Sequence, residues 1–227
     1  MRFKDRAEAG RLLAQTLGGF AGRQDVIVLA LPRGGVPVAH EIANALNVPL
    51  DVLPVRKLGV PELEEFAMGA IASGGARVLN EDVVQRLAIT EEAIDEITRR
   101  ESCELKRREQ LYRGNRRAPQ LTGRTVILVD DGLATGSTMQ AAVEAVRRQH
   151  PARMIVAVPV AATSSCESLN RLDEGLTCVC ELAVEPFYAV GLWYENFGQT
   201  TDEEVCKLLK QARLRVEAKA RTANSSS

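Results

Sequence analysis

The sequence predicts an α/β domain built on a mostly parallel, twisted sheet flanked by helices. Its candidate strands are short apolar runs without polar alternation, which is typical of strands covered on both faces. Segments with helical spacing separate the runs, and strands that alternate with helices in this way form parallel sheets with right-handed crossovers. The predicted strands are residues 25–31, 50–55, 126–129, 153–160 and 175–182.

The composition is that of one ordinary globular domain. The chain has 227 residues and a net charge of −1, which argues against nucleic acid as a partner bound through bulk positive charge. No apolar run approaches the ~20 residues of a membrane-spanning helix, so no membrane partner is expected. The five cysteines form no C-x-x-C pair, and we expect reduced thiols in a cytoplasmic protein.

The most informative segment is 125–142, where a buried strand runs into two carboxylates, a turn of small residues and the start of a helix. A helix N-terminus carries unpaired N–H groups and about +0.5 of an elementary charge, which suits a phosphate. Asp130 and Asp131 would repel an anion unless they bind ribose hydroxyls, hold Mg²⁺, or do both. We therefore expect a phosphorylated sugar as the ligand. The turn adds hydroxyl donors from Thr135, Ser137 and Thr138.

This segment resembles the phosphoribosyl-pyrophosphate (PRPP) motif of type I phosphoribosyltransferases, in which a hydrophobic strand, two acidic residues and a short spacer precede Thr-Gly-x-Thr. The resemblance implies that Asp130 and Asp131 are catalytic, bind the ribose hydroxyls and contact the cofactor Mg²⁺ indirectly. In the 6-oxopurine branch an Asp that acts as a base on the purine precedes Thr-Gly, whereas this chain has Ala134. The residues implied to bind the 5′-phosphate are Ala134, Thr135, Gly136, Ser137 and Thr138.

Positively charged side chains follow two of the other predicted strands. Arg33 and Gly34 lie in a glycine-rich turn before a helix, where an arginine can bind phosphate through two N–H groups. In the family this turn is the pyrophosphate loop, and we expect a non-proline cis peptide next to Arg33. Arg56 and Lys57 follow the strand 50–55. A similarity to adenine and xanthine phosphoribosyltransferases assigns a catalytic pyrophosphate contact to Arg56, with Lys57 as a further PRPP contact.

Residues 57–80 are predicted to form a flexible β-hairpin lid, with strands at 67–72 and 76–79 around a Ser-Gly-Gly turn. Such a lid would close over the reacting centre and exclude water. Three acidic residues of the lid are candidates to act on the substrate, and the sequence does not choose among them. They are Glu62, Glu64 and Glu65.

Residues 81–113 are predicted to be inserted helices, a short one followed by a long polar helix over 90–112. The sparse apolar stripe of the long helix indicates that it is exposed or packs on another subunit. Arg113, which follows it, is interpreted as a surface or interface cation. The family's habit favours a homodimer.

Residues 185–200 are predicted to form a small hood near the C-terminus. Five of the nine aromatic residues lie here, either to stack against a flat ring or to form the core of a small subdomain. The resemblance places the nucleobase under the hood and assigns base contacts to Phe187, Tyr188 and Trp193, although the purine enzymes have an Asp where Trp193 stands. A closing helix over 201–211 completes a single domain, residues 1–212, and leaves 213–227 as a frayed tail.

These features predict a phosphoribosyltransferase that uses Mg-PRPP and a nitrogenous base, with purine-like bases among the candidates, to give a nucleoside 5′-monophosphate and pyrophosphate. The sequence does not identify the acceptor base. One alternative is a PRPP-binding regulatory protein without turnover, which the long polar helix favours. Another is a ribose-phosphate hydrolase or transferase with a non-base acceptor, which the acidic lid favours.

Overall fold

The computed structural model describes residues 2–172 and 175–224, without the side chains of Glu65 and residues 220–224. Its α-helices are Arg6–Thr16 (α1), Gly35–Leu46 (α2), Glu81–Arg86 (α3), Glu91–Arg113 (α4), Ser137–Arg147 (α5), Thr163–Leu172 (α6) and Asp202–Asn224 (α7). Its strands are Val26–Ala30 (β1), Leu50–Val52 (β2), Val55–Val60 (β3), Leu63–Ala72 (β4), Ala76–Leu79 (β5), Thr125–Val129 (β6), Arg153–Ala162 (β7) and Leu176–Val184 (β8).

The predicted parallel sheet is confirmed. Five parallel strands lie in the order β2-β1-β6-β7-β8. Every residue of β1 and β6 is buried, as expected for continuous apolar runs covered on both faces. Helices α1, α2 and α7 pack on one face, while α5, α6 and a second, antiparallel sheet pack on the other.

The order of the strands reverses between β1 and β6. After β1 the chain continues through α2 to β2 on one side, and after β6 it continues through α5 to β7 on the other. The loops that leave these two neighbouring strands therefore diverge. Open α/β sheets bind their ligands in the crevice at such a reversal, beyond the carboxyl ends of the strands.

The predicted hairpin is confirmed, and β3 extends it to a three-stranded antiparallel sheet. The predicted strand 50–55 is wrong in its extent, because β2 ends at Val52 and the chain enters β3 at Val55. Pro54 has no N–H to donate to a neighbouring strand, which accounts for the break. Arg56 and Lys57 consequently lie inside β3 and not at the carboxyl end of a parallel strand.

The long helix α4 packs against this second sheet. Its apolar residues Ile94, Ile97 and Leu105 share one buried cluster with residues of β3 and β4, among them Leu58 and Met68. The sparse apolar stripe of α4, which suggested an exposed helix or a subunit interface, thus packs against the second sheet of the same chain. The cluster also gives the hairpin a hydrophobic core of its own.

Arg113 is not a surface residue, contrary to the prediction. Its side chain is 4% exposed and lies 3.1 Å from Asp51 Oδ1. It also contacts the carboxylate of Glu109 and donates to the carbonyl of Val52. Asp51 and Val52 belong to β2, and Glu109 lies one turn earlier in α4. Arg113 therefore links α4 to the edge strand of the parallel sheet.

The closing helix α7 is longer than predicted, because it runs from Asp202 to Asn224. The frayed tail expected at 213–227 is therefore helical through Asn224, and residues 225–227 lie outside the described part of the chain. Beyond the predicted end, Ala212 is buried and Arg215 donates to the carbonyl of Val48 at 2.7 Å. Among the described helices, none combines the length and apolar character needed to cross a membrane.

Candidate functional site

A cavity of about 220 Å³ lies beyond the carboxyl end of β6, one of the two strands between which the order reverses. Asp130, which directly follows β6, lines it together with Lys57 of β3 and Val190 of the hood. The cavity thus brings together residues that are far apart in the sequence. It also contains all five residues predicted to bind the 5′-phosphate, Ala134, Thr135, Gly136, Ser137 and Thr138.

The predicted phosphate turn has the geometry of an anion site. Gly136 adopts φ 80°, a left-handed conformation that glycine reaches without steric cost, and α5 begins at the next residue. The first N–H groups of α5 have no partner within the helix, so they can donate to an anion. Thr135 Oγ1 and Ser137 Oγ lie 3.5 Å apart beside them. Ser165 of α6 holds the turn by donating to the carbonyl of Ala134.

The predicted pyrophosphate loop lies beside the acidic pair. Its Pro32–Arg33 peptide bond is cis, at the position where a non-proline cis peptide was expected. A Cβ placed on Gly34 would be 2.0 Å from Asp131 Oδ2, and one on Gly35 would be 2.6 Å from the carbonyl oxygen of Val129. The backbone of the loop after β1 therefore packs directly against the Asp131 side chain and the backbone at the end of β6. Only glycine at positions 34 and 35 leaves room for this contact.

Asp131 has a partner that the sequence analysis did not predict. Arg6 of α1 donates from Nε to Asp131 Oδ2 at 2.8 Å, and its Nη2 lies 2.8 Å from the same oxygen in an ion pair. The two side chains are only 12% and 15% exposed. Arg6 also donates to the carbonyl of Gly198 at 2.7 Å and lies 3.9 Å from the ring centroid of Phe197. In the sequence Arg6 is one of the two cations of α1, with Arg11, and no local signal distinguishes it.

Asp130 has a different environment from Asp131. Its carboxylate accepts the backbone N–H of Asp131 at 2.8 Å. Burial, together with the neighbouring Asp131 carboxylate, raises the pKa of Asp130 well above its usual range. The acidic pair is therefore asymmetric, with an ion-paired Asp131 and an Asp130 that holds a proton more readily. Such a buried, perturbed carboxyl group in a crevice is typical of a functional site.

Arg56 and Lys57 lie in different surroundings although they are adjacent in the sequence. Arg56 Nη2 lies 2.7 Å from Glu101 Oε2 of α4. Lys57 is exposed and lines the cavity. Successive side chains of a strand point to opposite faces, so only one of the two can face the crevice. The geometry favours Lys57 as the cation nearer to a bound ligand, while the catalytic role assigned to Arg56 stays a prediction.

The residues present suit Mg²⁺ that enters with a phosphorylated substrate. In the described part of the chain, no group of three or more His, Cys, Asp or Glu side chains could hold a metal ion. Asp131 is already paired with Arg6. Proteins commonly bind Mg²⁺ through one or two carboxylates and the substrate's phosphates. Asp130 is the carboxylate that lines the cavity and could complete such a site.

The three aromatic residues predicted to contact a base lie in different surroundings. Phe187 and Trp193 pack against the buried cluster that contains Phe3 and Tyr194. Tyr188 is 80% exposed. Their base contacts stay predictions, and Phe187 and Trp193 are partly buried by their packing on this cluster.

Two other hood residues reach the site. Val190 lines the cavity and lies so close to Gly132 that a Cβ there would be 2.5 Å from its Cγ1. The hydroxyl of Tyr194 donates to the carbonyl of Asp131 at 2.6 Å. Both lie in the aromatic-rich segment that the sequence analysis singled out. Their contacts depend on how this segment folds back over β6.

The three acidic lid candidates are also separated. Glu62 is exposed, with φ 64°, in the turn between β3 and β4. Glu64 lies 3.1 Å from Arg100 of α4. Neither of them lines the cavity, and the side chain of Glu65 lies outside the described residues.

Comparison with known proteins agrees with this geometry. The family model described as "Phosphoribosyl transferase domain" matches residues 4–181. Two proteins of Mycobacterium tuberculosis, from strains CDC 1551 and H37Rv, are provisionally named phosphoribosyl transferases. Each is 45% identical to this chain over 210 residues, which are 92% of this chain and 47% of the relative. The chain therefore spans about half the length of these curated relatives.

Solved structures also resemble this chain. The crystal structure of TT1426 from Thermus thermophilus has a TM-score of 0.77 and 41% sequence identity, and the match covers 93% of this chain and 99% of that one. The AQ2163 protein from Aquifex aeolicus has a TM-score of 0.52 and 11% identity, with coverage of 82% and 78%. At that identity the likeness shows a shared fold.

Proposed function

The chain belongs to the phosphoribosyl transferase domain family, and on that basis we propose that it transfers the phosphoribosyl group of PRPP to a nitrogenous base. The products would be a nucleoside 5′-monophosphate and pyrophosphate. One observation carries the proposal. The glycine loop after β1 lies against the acidic pair after β6, and Asp130 of that pair lines the same cavity as the phosphate turn.

The arrangement accommodates each part of PRPP. The 5′-phosphate would lie on the turn 134–138, where the N-terminus of α5 supplies free N–H groups. The ribose hydroxyls would donate hydrogen bonds to the carboxylates of Asp130 and Asp131. The diphosphate would extend towards Arg33, in the loop after β1, and Lys57, in β3 of the second sheet. Mg²⁺ would arrive bound to this diphosphate as part of the substrate.

The proposed reaction is a substitution at ribose C1. The bond from C1 to the pyrophosphate oxygen breaks, a nitrogen of the base forms the new bond to C1, and the base loses a proton. The transition state resembles an oxocarbenium ion, so carboxylates beside the ribose and cations beside the leaving pyrophosphate stabilise opposite charges. The protein's contribution is positioning and electrostatic stabilisation.

The acceptor is proposed as a class. Ala134 carries no group that could take a proton from a base, which supports acceptors other than the 6-oxopurines. The hood segment above the cavity presents Val190 and the exposed side chains of Tyr188 and Leu192. These apolar and aromatic groups are suited to the face of a flat ring.

The test is pyrophosphate release from Mg-PRPP by the purified protein, measured with a panel of purine and pyrimidine bases. We expect one class of base to accelerate release strongly. Asp131→Asn should abolish the acceleration, and Asp82→Asn, at an exposed position of α3, serves as the matched control.

Two outcomes contradict the proposal. Release that is independent of any base would favour a hydrolase. A rise in melting temperature with PRPP but no turnover with any base would favour a PRPP-binding regulatory protein.

A further inference from the structure

We propose that Arg6 is a positioning residue of the PRPP site, which couples the N-terminal helix and the hood to the ribose-binding carboxylate of Asp131. The inference rests on the proposed function, because it concerns how Asp131 is presented to PRPP. Arg6 and Asp131 are 125 positions apart in the chain. Their contact is therefore a product of the fold.

The guanidinium of Arg6 is held in three directions. Its Nε donates to one carboxylate oxygen, Asp131 Oδ2, and its Nη2 lies 2.8 Å from the same atom. The third nitrogen, Nη1, donates to the carbonyl of Gly198. Its plane lies over the ring of Phe197, with the central carbon 3.9 Å from the ring centroid. An arginine can satisfy these contacts together because its donors form a rigid planar fork that also stacks on aromatic faces.

The contact leaves the other carboxylate oxygen of Asp131 without a hydrogen bond to Arg6. The hydrogen bond from Nε and the ion-pair contact of Nη2 both go to Oδ2, so the orientation of the carboxylate is defined while Oδ1 stays available for a ribose hydroxyl. Because the pair is largely buried, water screens it weakly. Arg6 is thereby suited to hold the Asp131 carboxylate in one orientation before substrate arrives.

The same hood segment also holds the backbone of Asp131. The ring of Tyr194 stacks on that of Phe197 with centroids 5.0 Å apart, and the Tyr194 hydroxyl donates to the Asp131 carbonyl. Side chain and main chain of Asp131 are thus both anchored to residues 194–198, one through Arg6 and one through Tyr194. Any movement of residues 194–198 towards a bound acceptor would therefore also move the carboxylate of Asp131.

A competing role for Arg6 makes the opposite prediction. If Arg6 merely blocked Asp131 until PRPP displaced it, removal of the guanidinium would tighten PRPP binding. If Arg6 positions Asp131, removal would weaken binding and slow turnover. The sign of the change in PRPP affinity therefore separates the two roles.

The experiment measures the PRPP dissociation constant by calorimetry, and kcat and KM for PRPP, in Arg6→Gln and Arg6→Lys. We expect Arg6→Gln to weaken PRPP binding and to lower kcat/KM by roughly 10- to 100-fold, since it removes hydrogen bonds to a charged group. Arg6→Lys should recover part of the loss through its charge alone. Arg11→Gln, on the same helix with a 57% exposed side chain paired to Glu41, should behave as wild type.

Affinity that is unchanged or tighter in both Arg6 variants overturns the inference. If Arg6→Gln does not fold, Arg6→Lys and Phe197→Leu are measured in its place. Phe197→Leu removes the stacked ring but keeps the ion pair of Arg6 with Asp131, and it should also weaken PRPP binding. A wild-type protein that binds no PRPP would contradict the proposed function itself. Wild-type binding with unaffected Arg6 variants would contradict this inference alone.

Discussion

The α-carbon of Gly34 lies against the carboxylate of Asp131, so closely that a Cβ on residue 34 would be 2.0 Å from Oδ2. The backbone of Gly34 has φ −60°, a value that any residue can adopt. Glycine is therefore required here by lack of space and not by conformation. This contact joins the loop after β1 to the loop after β6 at the reversal of the sheet, and it implies that the two loops act together.

Substitution Gly34→Ala should lower kcat/KM for PRPP by at least about tenfold, because the added methyl group must displace the Asp131 carboxylate. Steady-state kinetics and PRPP calorimetry measure the effect. Gly19→Ala is the matched control, since a Cβ there would meet no atom within 4 Å. Wild-type PRPP affinity in Gly34→Ala would show that Asp131 can move aside without cost to the site.

Lys57 and Arg56 should respond differently to truncation. Lys57→Ala should raise KM for PRPP by roughly tenfold, because it removes a cation from the cavity that would bind the substrate's phosphates. Arg56→Ala should mainly lower stability, by ~1 kcal/mol, because it breaks the partly buried pair with Glu101. Kinetics and denaturant unfolding of both variants make the comparison, and the reverse pattern would restore the original assignment of Arg56 to pyrophosphate.

Arg113→Met should destabilise the fold by about 3 kcal/mol, because it leaves the buried carboxylate of Asp51 without its partner. Urea unfolding gives the free energy directly. Arg99→Met removes an exposed ion pair with Glu96 from the same helix and should cost less than ~0.5 kcal/mol. Equal effects from the two substitutions would mean that the Arg113 contacts contribute no more than a surface pair.

Oxidation should join Cys166 to Cys178. Their sulfur atoms lie 2.8 Å apart, whereas Cys180 Sγ is 3.6 Å from Cys166 Sγ. With hydrogen peroxide, two thiols give one disulfide while the peroxide is reduced to two waters. The hydrogen bond to Cys178 raises the pKa of Cys166 to about 12, so the reactive thiolate is scarce and the reaction should be slow.

Peptide mapping by mass spectrometry without reductant identifies the disulfide. Cys178→Ser should redirect the bond to Cys180, which lies on the same face of β8. The exposed Cys103 should remain outside any intramolecular pair. A dominant Cys166–Cys180 bond in the wild-type protein would contradict the order of distances.

Much of the fold was predictable because its signals are local. The strands β1 and β6 are continuous apolar runs, and the hairpin is bounded by a Ser-Gly-Gly turn, so each could be recognised without knowledge of its neighbours. The end of β2 and the length of α7 were misjudged for a physical reason. The break at Pro54 has a local cause, a residue without an N–H that the prediction passed over, whereas the extension of α7 accompanies a contact of Arg215 with Val48 that is distant in the sequence.

The sequence by itself determined the family resemblance and the chemistry of the phosphate turn. A strand, two carboxylates, small residues and a helix N-terminus are contiguous, so their geometry follows from the local backbone. Only the tertiary structure decided which residues surround Asp131. Arg6 belongs to α1, Gly34 to the loop after β1, and Tyr194 to the hood. They meet because β1 lies beside β6 and the chain ends fold back over the sheet, and such long-range contacts leave no periodic signal in the sequence.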